Sequence, residues 1–263
     1  MFINKRGRKT LWISLLYRLK FLLVPAAYIY RKIIIRQVKI IAVVGSFGKT
    51  TTTRAIASAL SLPVQKHRGN NVLFYLAMGI LSVPPWAKYR VFEVGINKKG
   101  QMAKNANILC PDIVVVTSIG SEHGSSLGSL NNTREEKAMM VRKVPINGLV
   151  ILNGDDPHVL KMKSYTKAPL ITYGYRDDND LIISMIKTEL GGGTSFSLKT
   201  KNGTYNIESK LYGKAIGGSL AVAFELARGL GFEVNNIIHR LSKLKPYNER
   251  LELVKTNSGI FIY

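Results

Sequence analysis

An apolar run that leads into a glycine-containing turn limits the fold of this chain more than any other stretch of its sequence. Residues 38–44 are rich in β-branched side chains and predict a buried strand, and residues 51–60 predict a helix. Between them, Gly45 and Gly48 allow a tight turn whose backbone N–H groups can face an anion at the helix N-terminus. The segment therefore predicts a phosphate-binding loop.

The side chains of this loop suit a nucleoside triphosphate. Lys49 supplies a mobile cation, and the Thr50 hydroxyl can ligate a magnesium ion that bridges the phosphates. The broad P-loop pattern has a glycine five residues before Gly48, where this chain has Val43. The match is to the shorter form G-[ST]-x-G-K-[ST]-[ST], filled here by Gly45, Ser46, Phe47, Gly48, Lys49, Thr50 and Thr51. The alternative is a glycine and serine turn that precedes a lysine by chance.

The charge of the chain is strongly positive and unevenly distributed. The 263 residues carry a formal net charge of +22, and no Asp or Glu precedes Glu93. Such a field attracts polyanions or an anionic membrane surface. No zinc-finger, homeodomain or RNP-like pattern accompanies it, so we expect no nucleic-acid partner. The single cysteine, Cys110, permits no internal disulfide and favours a reducing, cytoplasmic compartment.

The first 36 residues combine basic and apolar side chains. Residues 2–9 are basic, and residues 11–30 are rich in Leu, Ile, Tyr and Trp but contain Arg18 and Lys20. A charge at the centre of a spanning helix costs about 2.5–3.5 kcal/mol, which disfavours a transmembrane helix. Residues 1–36 therefore predict an interfacial helix, peripheral on the anionic inner face of the cell membrane. A basic helix that packs on the protein itself is the alternative.

After the phosphate loop, strand and helix patterns alternate along the chain. Strand patterns at 89–94, 112–119, 149–153 and 170–173 alternate with helix patterns at 101–109, 133–144 and after the N-cap Asp156. This order predicts an α/β fold with a doubly wound, mostly parallel sheet and a ligand site at the carboxyl ends of its strands. Residues 181–211 predict a small antiparallel β flap, because short β-rich runs are separated by glycine turns. Residues 37–263 are thus predicted to form one P-loop domain.

Several candidate site residues lie near the predicted strand ends. Glu93 closes one strand, His123 follows another, Asn153 and then Asp155 follow a third, and Lys137 lies in a polar helix. A carboxylate near a phosphate loop suits magnesium, which prefers oxygen ligands. The alternatives are an ordinary strand-end acid at Glu93, a loop histidine at His123 and a solvated lysine at Lys137.

Taken together, these residues resemble the Mur ligase family of bacterial cell-wall synthesis, in its central ATP-binding domain. The resemblance is to the branch that adds D-alanyl-D-alanine, and it extends from residue 38 to residue 263. It is carried by an ordered series of motifs: the loop at 45–51, Gly69-Asn70-Asn71, Glu93-Val94-Gly95, Thr117-Ser118-Ile119-Gly120 with His123, Lys137, Asn153-Gly154-Asp155-Asp156 and Glu249-Arg250-Leu251-Glu252.

The resemblance implies an ATP-dependent, ADP-forming ligase that joins a carboxylate to an amine through an acyl phosphate, in peptidoglycan precursor synthesis. It implies that Lys49 and the loop amides hold the phosphates and that Thr50 and Glu93 hold one magnesium ion. His123 and a carbamate on Lys137 would hold a second, because a carbamate is an anionic oxygen donor and a bare lysine is not. Catalysis would then depend on Lys49, His123 and Lys137.

The same resemblance assigns the remaining ligand contacts. Asn153 and Asp155 would face the nucleotide base or ribose, with Asp156 beside them, and Arg250 would face the phosphates. Asn70 and Asn71 match a family loop close to the reacting groups. By kinship, the small-molecule substrates would be a muramoyl peptide, which supplies the carboxylate, and a dipeptide, which supplies the amine. A lipid-linked or other acyl acceptor is equally open.

The sequence departs from the family pattern in three places. The family opens with a uridine-nucleotide-binding domain, whereas this chain opens with residues 1–36. A His and an Asn that the family shows after the flap are Ala215 and Ser219 here, which weakens the adenine-side contacts. The chain stops at Tyr263, where the family continues into a C-terminal domain. The sequence predicts either a fragment of a longer ligase, which the end in an apolar strand favours, or a short, membrane-associated form that binds nucleotide and relies on a partner or performs no ligation.

Overall fold

The computed structural model describes residues 20–63, 73–121, 128–189 and 193–246, together with two short strands nearer the C-terminus. The first half alternates helices and strands. In chain order these are α1 (Lys20–Ile29), continued by a π-helical turn (Tyr30–Ile34), β1 (Lys39–Val44), α2 (Lys49–Ala59), α3 (Leu73–Leu81), β2 (Tyr89–Glu93), α4 (Gln101–Leu109), β3 (Ile113–Val116) and α5 (Leu130–Val141).

The second half changes from alternating elements to antiparallel strands and then to two helices. Its elements are β4 (Leu149–Asn153), α6 (Pro157–Leu160) with a 3-10 turn (Lys161–Tyr165), β5 (Leu170–Gly174), β6 (Leu181–Glu189), β7 (Gly193–Thr200), β8 (Gly203–Ser209), α7 (Ile216–Gly229), α8 (Val234–Ser242), β9 (Val254–Lys255) and β10 (Phe261–Ile262). The last two strands pair with each other and not with the main sheet.

In the described part of the chain, eight strands form one sheet in the order β2-β1-β3-β4-β5-β6-β7-β8. The strands from β2 to β6 pair in parallel, and β6, β7 and β8 pair antiparallel. The predicted mostly parallel α/β sheet is confirmed. The antiparallel part predicted from residues 181–211 extends the same sheet, because β6 pairs in parallel with β5.

The sheet is buried on both faces, as a doubly wound fold requires. Alternate side chains of β1 enter two different cores: Ile40, Ala42 and Val44 pack on one face, and Ile41 and Val43 on the other. This burial explains why the strand reads as one continuous apolar run. Because β1 pairs with β2 on one side and with β3 on the other, the loop after β1 begins at a fixed position between these two strands.

The element boundaries lie within about three residues of those predicted by sequence patterns, but β3 has half its predicted length because it ends at Val116 and not at residue 119. Helix α4 and strand β4 have the predicted ends. Helix α5 begins earlier than predicted because Ser129 caps it, with its hydroxyl accepting a hydrogen bond from the Asn132 N–H at 3.2 Å. Helix α3 was not predicted, since its run of apolar residues has no clear helical start signal.

The N-terminal helix packs on the domain through an inward-facing arginine. Arg31 is only 6% exposed and donates hydrogen bonds to the carbonyl oxygens of Leu109 and Cys110 and to the Asp112 carboxylate, at 2.9–3.0 Å. Ala27 and Ile35 are also buried against the core. Residues 20–35 are therefore part of the packed domain. Over the described ranges, no helix has both the length and the apolar character needed to cross a bilayer.

Candidate functional site

The loop between β1 and α2 has the backbone that the two glycines predict. Gly45 has φ +148° and Gly48 has φ +80°, and Gly48 is the residue that precedes the first turn of α2. A side chain at Gly45 would place its Cβ 1.9 Å from the Thr117 hydroxyl oxygen, so the loop cannot accept a larger residue there without moving. The loop opens at the carboxyl edge of the sheet, at the N-terminus of a helix.

The loop is fastened to the chain that follows β3. The Thr117 hydroxyl donates to the Phe47 carbonyl oxygen at 2.6 Å. The Ser46 N–H donates to the Ser118 carbonyl oxygen at 2.8 Å, and the Phe47 N–H donates to the Ser118 hydroxyl at 2.9 Å. Backbone and side-chain hydrogen bonds thus fix the loop to the end of β3.

Ser46 connects the loop to the lysine of helix α5. Its hydroxyl accepts a hydrogen bond from the Gly120 N–H at 2.7 Å and lies 3.0 Å from the Gly120 carbonyl oxygen. The Lys137 ammonium group donates to the same hydroxyl at 2.9 Å, and Lys137 is only 2% exposed. The alternative of a solvated surface lysine is therefore wrong for Lys137, because the side chain reaches inward to the phosphate loop.

Lys49, which is predicted to bind the phosphates, contacts the loop directly. Its ammonium group donates to the Ser46 carbonyl oxygen at 2.6 Å, and the side chain is buried. Thr50 and Thr51, in the first turn of α2, are half-buried, and the Phe47 ring is exposed. Two lysines, Lys49 and Lys137, therefore approach the loop from its own helix and from α5.

Glu93 ends β2 next to the start of the loop. The parallel register pairs it with Val43, two residues before Gly45, and its side chain is half-buried. A carboxylate at this point fits a magnesium ion, together with the Thr50 hydroxyl and phosphate oxygens. Within the described ranges, no group of three or more His, Cys, Asp and Glu side chains forms a cation site by itself.

The predicted nucleotide-facing residues after β4 are bonded to neighbouring strand ends. The Asn153 amide donates to the Thr117 carbonyl oxygen at 2.8 Å. The Asp156 carboxylate accepts from the Ile119 N–H at 2.7 Å and caps α6, as the sequence predicts. These side chains join the end of β4 to the residues that follow β3, and those residues in turn bond to the loop.

Asp155 holds the turn after β5. Its carboxylate accepts hydrogen bonds from the N–H groups of Tyr175 and Arg176 and from the Asn179 amide, at 2.6, 3.2 and 3.0 Å. Burial raises the pKa of the Tyr175 phenol, and the Asp155 carboxylate raises it further. A contact from Asp155 to a nucleotide stays a prediction, and it would use a carboxylate that already positions this turn.

Helix α7 packs beside α2 near Ala215 and Ser219, the two positions where the sequence departs from the family pattern. The Ser219 and Thr52 hydroxyl groups lie 2.8 Å apart, and both residues are buried, whereas Ala215 is exposed. Ser219 therefore connects α7 to α2. The predicted site residues His123 and Arg250, and the motif that contains Asn71, lie outside the described residues.

Sequence reasoning gave no role to the residues that build the loop's support. Thr117, Ser118 and Gly120 belong to a motif of the sequence, but the motif by itself does not predict their bonds to the loop. The available signal was position: polar residues directly after a buried strand neighbour the loop when that strand pairs with β1. The arrangement brings two cations and the N-terminus of α2 to one loop, with Glu93 at the end of the neighbouring strand. Such groups can bind a polyphosphate and neutralise charge on it.

Comparison with known proteins agrees with this geometry. Residues 43–224 match the Mur ligase middle domain, which covers more than half of the chain. The chain is 31% identical over 227 residues to the UDP-N-acetylmuramoyl-tripeptide–D-alanyl-D-alanine ligase of Bacillus subtilis, a match that covers 85% of this chain and 48% of the relative. The Escherichia coli ligase of the same name is 25% identical over 219 residues, covering 81% of this chain and 48% of the relative.

Solved structures have the same fold. MurF from Acinetobacter baumannii aligns with a TM-score of 0.80 and 25% identity, over 90% of this chain and 52% of that chain. MurF ligase from Thermotoga maritima in complex with ADP aligns with a TM-score of 0.79 and 20% identity, over 90% and 55% of the two chains. The chain thus spans about half the length of the relatives it matches. It belongs to the Mur ligase family, and its residues 43–224 are the middle domain of that family.

Proposed function

We propose that this chain is the ATP-binding part of an ADP-forming ligase that joins a carboxylate to an amine. One observation carries the proposal: the Lys137 ammonium group, buried beneath the phosphate loop, lies 2.9 Å from the hydroxyl of the loop residue Ser46. A general P-loop ATPase does not need a second buried lysine at this point. The names of its relatives, which are ligases that act on muramoyl peptides, support the same function.

The residues of the site would act mainly by positioning and by neutralising charge. Loop N–H groups and Lys49 would hold the β- and γ-phosphates. An oxygen of the substrate carboxylate attacks the γ-phosphorus, the bond to the bridging oxygen breaks, and ADP leaves. The acyl phosphate then reacts with an amine, whose nitrogen bonds to the acyl carbon as phosphate leaves and a proton is lost.

Magnesium fits the oxygen groups at this edge of the sheet. Thr50 and Glu93 would hold one ion and His123 with Lys137 a second, and the ions would neutralise charge on the transferring phosphoryl group. For Lys137 this requires a carbamate: the neutral amine bonds to the carbon of CO₂ and releases a proton. The buried environment and the Ser46 hydroxyl would protect and orient that carbamate.

The substrates follow from the printed names of the relatives. We propose a muramoyl peptide as the carboxylate and D-alanyl-D-alanine as the amine. Groups that recognise these molecules would come from a further domain or a partner chain. A nucleotide-binding module without ligation is the alternative outcome, and a ligation assay with these two substrates separates the two.

Binding of ATP with and without magnesium is the first test, measured by calorimetry on the chain as it exists. We expect magnesium-dependent binding that weakens by about tenfold or more, equivalent to about 1.4 kcal/mol or more, in Lys49→Ala. Lys161→Ala is the matched control, because Lys161 is an exposed lysine far from the loop in sequence. Equal binding by both variants would remove the nucleotide site as assigned here.

The carbamate has a separate test that does not depend on activity. Protein equilibrated with ¹³C-bicarbonate should show a carbamate resonance by NMR, and the resonance should be absent in Lys137→Met. Exposed lysines carbamylate weakly and serve as an internal background. A resonance that persists in Lys137→Met would assign the carbamate elsewhere.

For the N-terminal segment we propose peripheral association with an anionic membrane. Residues 1–19 add Lys5, Arg6, Arg8, Lys9 and Arg18 without any acidic residue. Each basic residue near an anionic surface contributes about 1 kcal/mol of attraction. Sedimentation with phosphatidylglycerol vesicles should therefore weaken in a chain that starts at Lys20. Equal sedimentation of the two chains would show that residues 1–19, here called the leader, are not needed for membrane binding.

A further inference from the structure

The helix formed by residues 20–34 is apolar on both sides. Its inward side carries Ala27 and Val24 against the core, together with Arg31, whose guanidinium is buried against backbone carbonyl groups and Asp112. Its outward side also carries a stripe of large apolar side chains. A surface helix normally has polar and charged residues on its outward side.

The outward stripe is continuous along the helix. Its members share helical spacing and high exposure, from 45% at Tyr28 to 66% at Phe21. They are Phe21, Leu22, Tyr28, Ile29 and Ile33, with Ile34 at the end of the π-helical turn. We call this set the outer helix face. An exposed apolar patch of this kind on a folded domain indicates an interaction site.

A nearby loop carries an additional exposed aromatic side chain. The Tyr30 hydroxyl donates to the Val83 carbonyl oxygen at 2.7 Å, which places the loop after α3 beside the helix. Trp86 in this loop is 84% exposed. Tryptophan and tyrosine favour the water interface of a bilayer, where their rings contact both polar and apolar groups.

Charge decides which occupant suits the outer helix face. Lys32 and Arg36 are exposed on the same segment, and the chain carries a net charge of +22. A second copy would bring the same positive charge against this surface, which opposes association. An anionic bilayer supplies both an apolar interior for the isoleucines and negative head groups for the lysine and arginine.

We propose that the outer helix face inserts into the head-group region of an anionic membrane, while Arg31 fixes the opposite side of the helix to the domain. This inference rests on the proposed membrane association and adds the surface that performs it. The contact is rigid because the helix is bonded to the core, so the domain would be held in one orientation at the membrane.

The test compares two double variants of the full chain by sedimentation with vesicles of phosphatidylglycerol and phosphatidylcholine in equal parts. Ile29→Ser/Ile33→Ser removes apolar area from the outer helix face and should weaken binding by about tenfold or more. The control is Ile146→Ser/Met185→Ser, at two exposed apolar residues outside this helix, and it should bind as the unchanged chain does. Circular dichroism and thermal unfolding of each variant establish that it is folded.

Other outcomes are equally decisive. If Ile29→Ser/Ile33→Ser does not fold, Phe21→Ser/Leu22→Ser tests the same face nearer the N-terminus. Full binding by a folded variant would overturn the proposal and leave the basic leader as the membrane contact. Concentration-dependent dimers that the double variant abolishes would overturn it in favour of a second copy. Absence of vesicle binding by the unchanged chain would refute membrane association itself, and binding that survives removal of residues 1–19 would refute only the leader's role.

Discussion

Two buried cations, Lys137 and Arg31, lie at opposite edges of the same sheet and have different surroundings. Arg31, at the amino edge, is bonded to carbonyl oxygens at the end of α4 and to Asp112, groups that belong permanently to the fold. Lys137, at the carboxyl edge, reaches the hydroxyl of Ser46, in the loop between β1 and α2. The difference teaches that burial of a charge does not reveal its role, whereas the partners of the charge do.

The largest effect is expected at the amino edge. Replacing Arg31 by Met leaves Asp112 partly buried without its guanidinium partner and leaves carbonyl oxygens without donors. Removing one member of such a pair costs about 3–5 kcal/mol of unfolding free energy. Urea unfolding would measure the loss. Arg176→Met is the control, because its bond to Asp178 is exposed and should contribute less than about 1 kcal/mol; equal losses would contradict a structural role for Arg31.

The next effect tests how firmly the carboxyl edge is built. Gly45→Ala combines an unfavourable φ of +148° with a Cβ 1.9 Å from the Thr117 hydroxyl oxygen. We expect a loss of about 2–3 kcal/mol in unfolding free energy. Gly231→Ala has φ +86° but no neighbouring heavy atom within 4 Å, so it should lose only about 1–2 kcal/mol. A smaller loss at Gly45 than at Gly231 would mean that the loop yields easily.

A smaller effect on stability is expected for Lys137→Met. Met keeps the side-chain volume and removes both the hydrogen bond to the Ser46 hydroxyl and the cost of burying a charge. Because these two effects partly offset each other, the unfolding free energy should fall by less than about 2 kcal/mol. In the same variant the carbamate signal should be lost, and magnesium-dependent ATP binding should weaken. If the stability loss were as large as that of Arg31→Met, both Lys137 and Arg31 would have structural roles, and the proposed difference between the two cations would be wrong.

The smallest effect concerns a third, half-exposed charge, Glu135. A hydrogen bond from the Tyr165 phenol is the main cause that lowers its pKa, and Arg134 and Arg142 lower it further. A lowered folded pKa stabilises the protein above the ordinary carboxyl pKa, and this contribution is lost as pH falls through the folded value. Tyr165→Phe should therefore reduce the fall in melting temperature between about pH 7 and about pH 3. An unchanged fall would show that the bond contributes nothing.

The sheet could be predicted from the sequence because its strands are buried on both faces. A strand such as β1 is then a short, continuous apolar run, and the glycines after it mark the turn. Local patterns were sufficient for the strand and the turn because each depends on a few neighbouring residues. That Glu93 and Lys137 take part in one site stays a prediction from the series of motifs.

The connections between distant residues could not be predicted in this way. The inward direction of Arg31 depends on carbonyl oxygens of Leu109 and Cys110, which lie far along the chain. The contact between Ser46 and Lys137 depends on how α5 packs behind β3 and β1. No local pattern encodes such a pairing. From the sequence alone, a basic residue such as Arg31 in an apolar helix therefore resembles a charge at a membrane surface, although the structure places it inside the domain.

The bonds from Thr117 and Ser118 to the loop have an entropic consequence. Ordering a free backbone costs about 1–2 kcal/mol per residue, so a loop that became ordered only on binding would weaken affinity by several kcal/mol. Here that loss occurs once, when the domain folds, because Ser118 accepts hydrogen bonds from two N–H groups of the loop. If a phosphate binds at the N-terminus of α2 as proposed, it would meet a loop that is already ordered, and its rate of capture would depend mainly on diffusion and on its attraction to a positively charged protein.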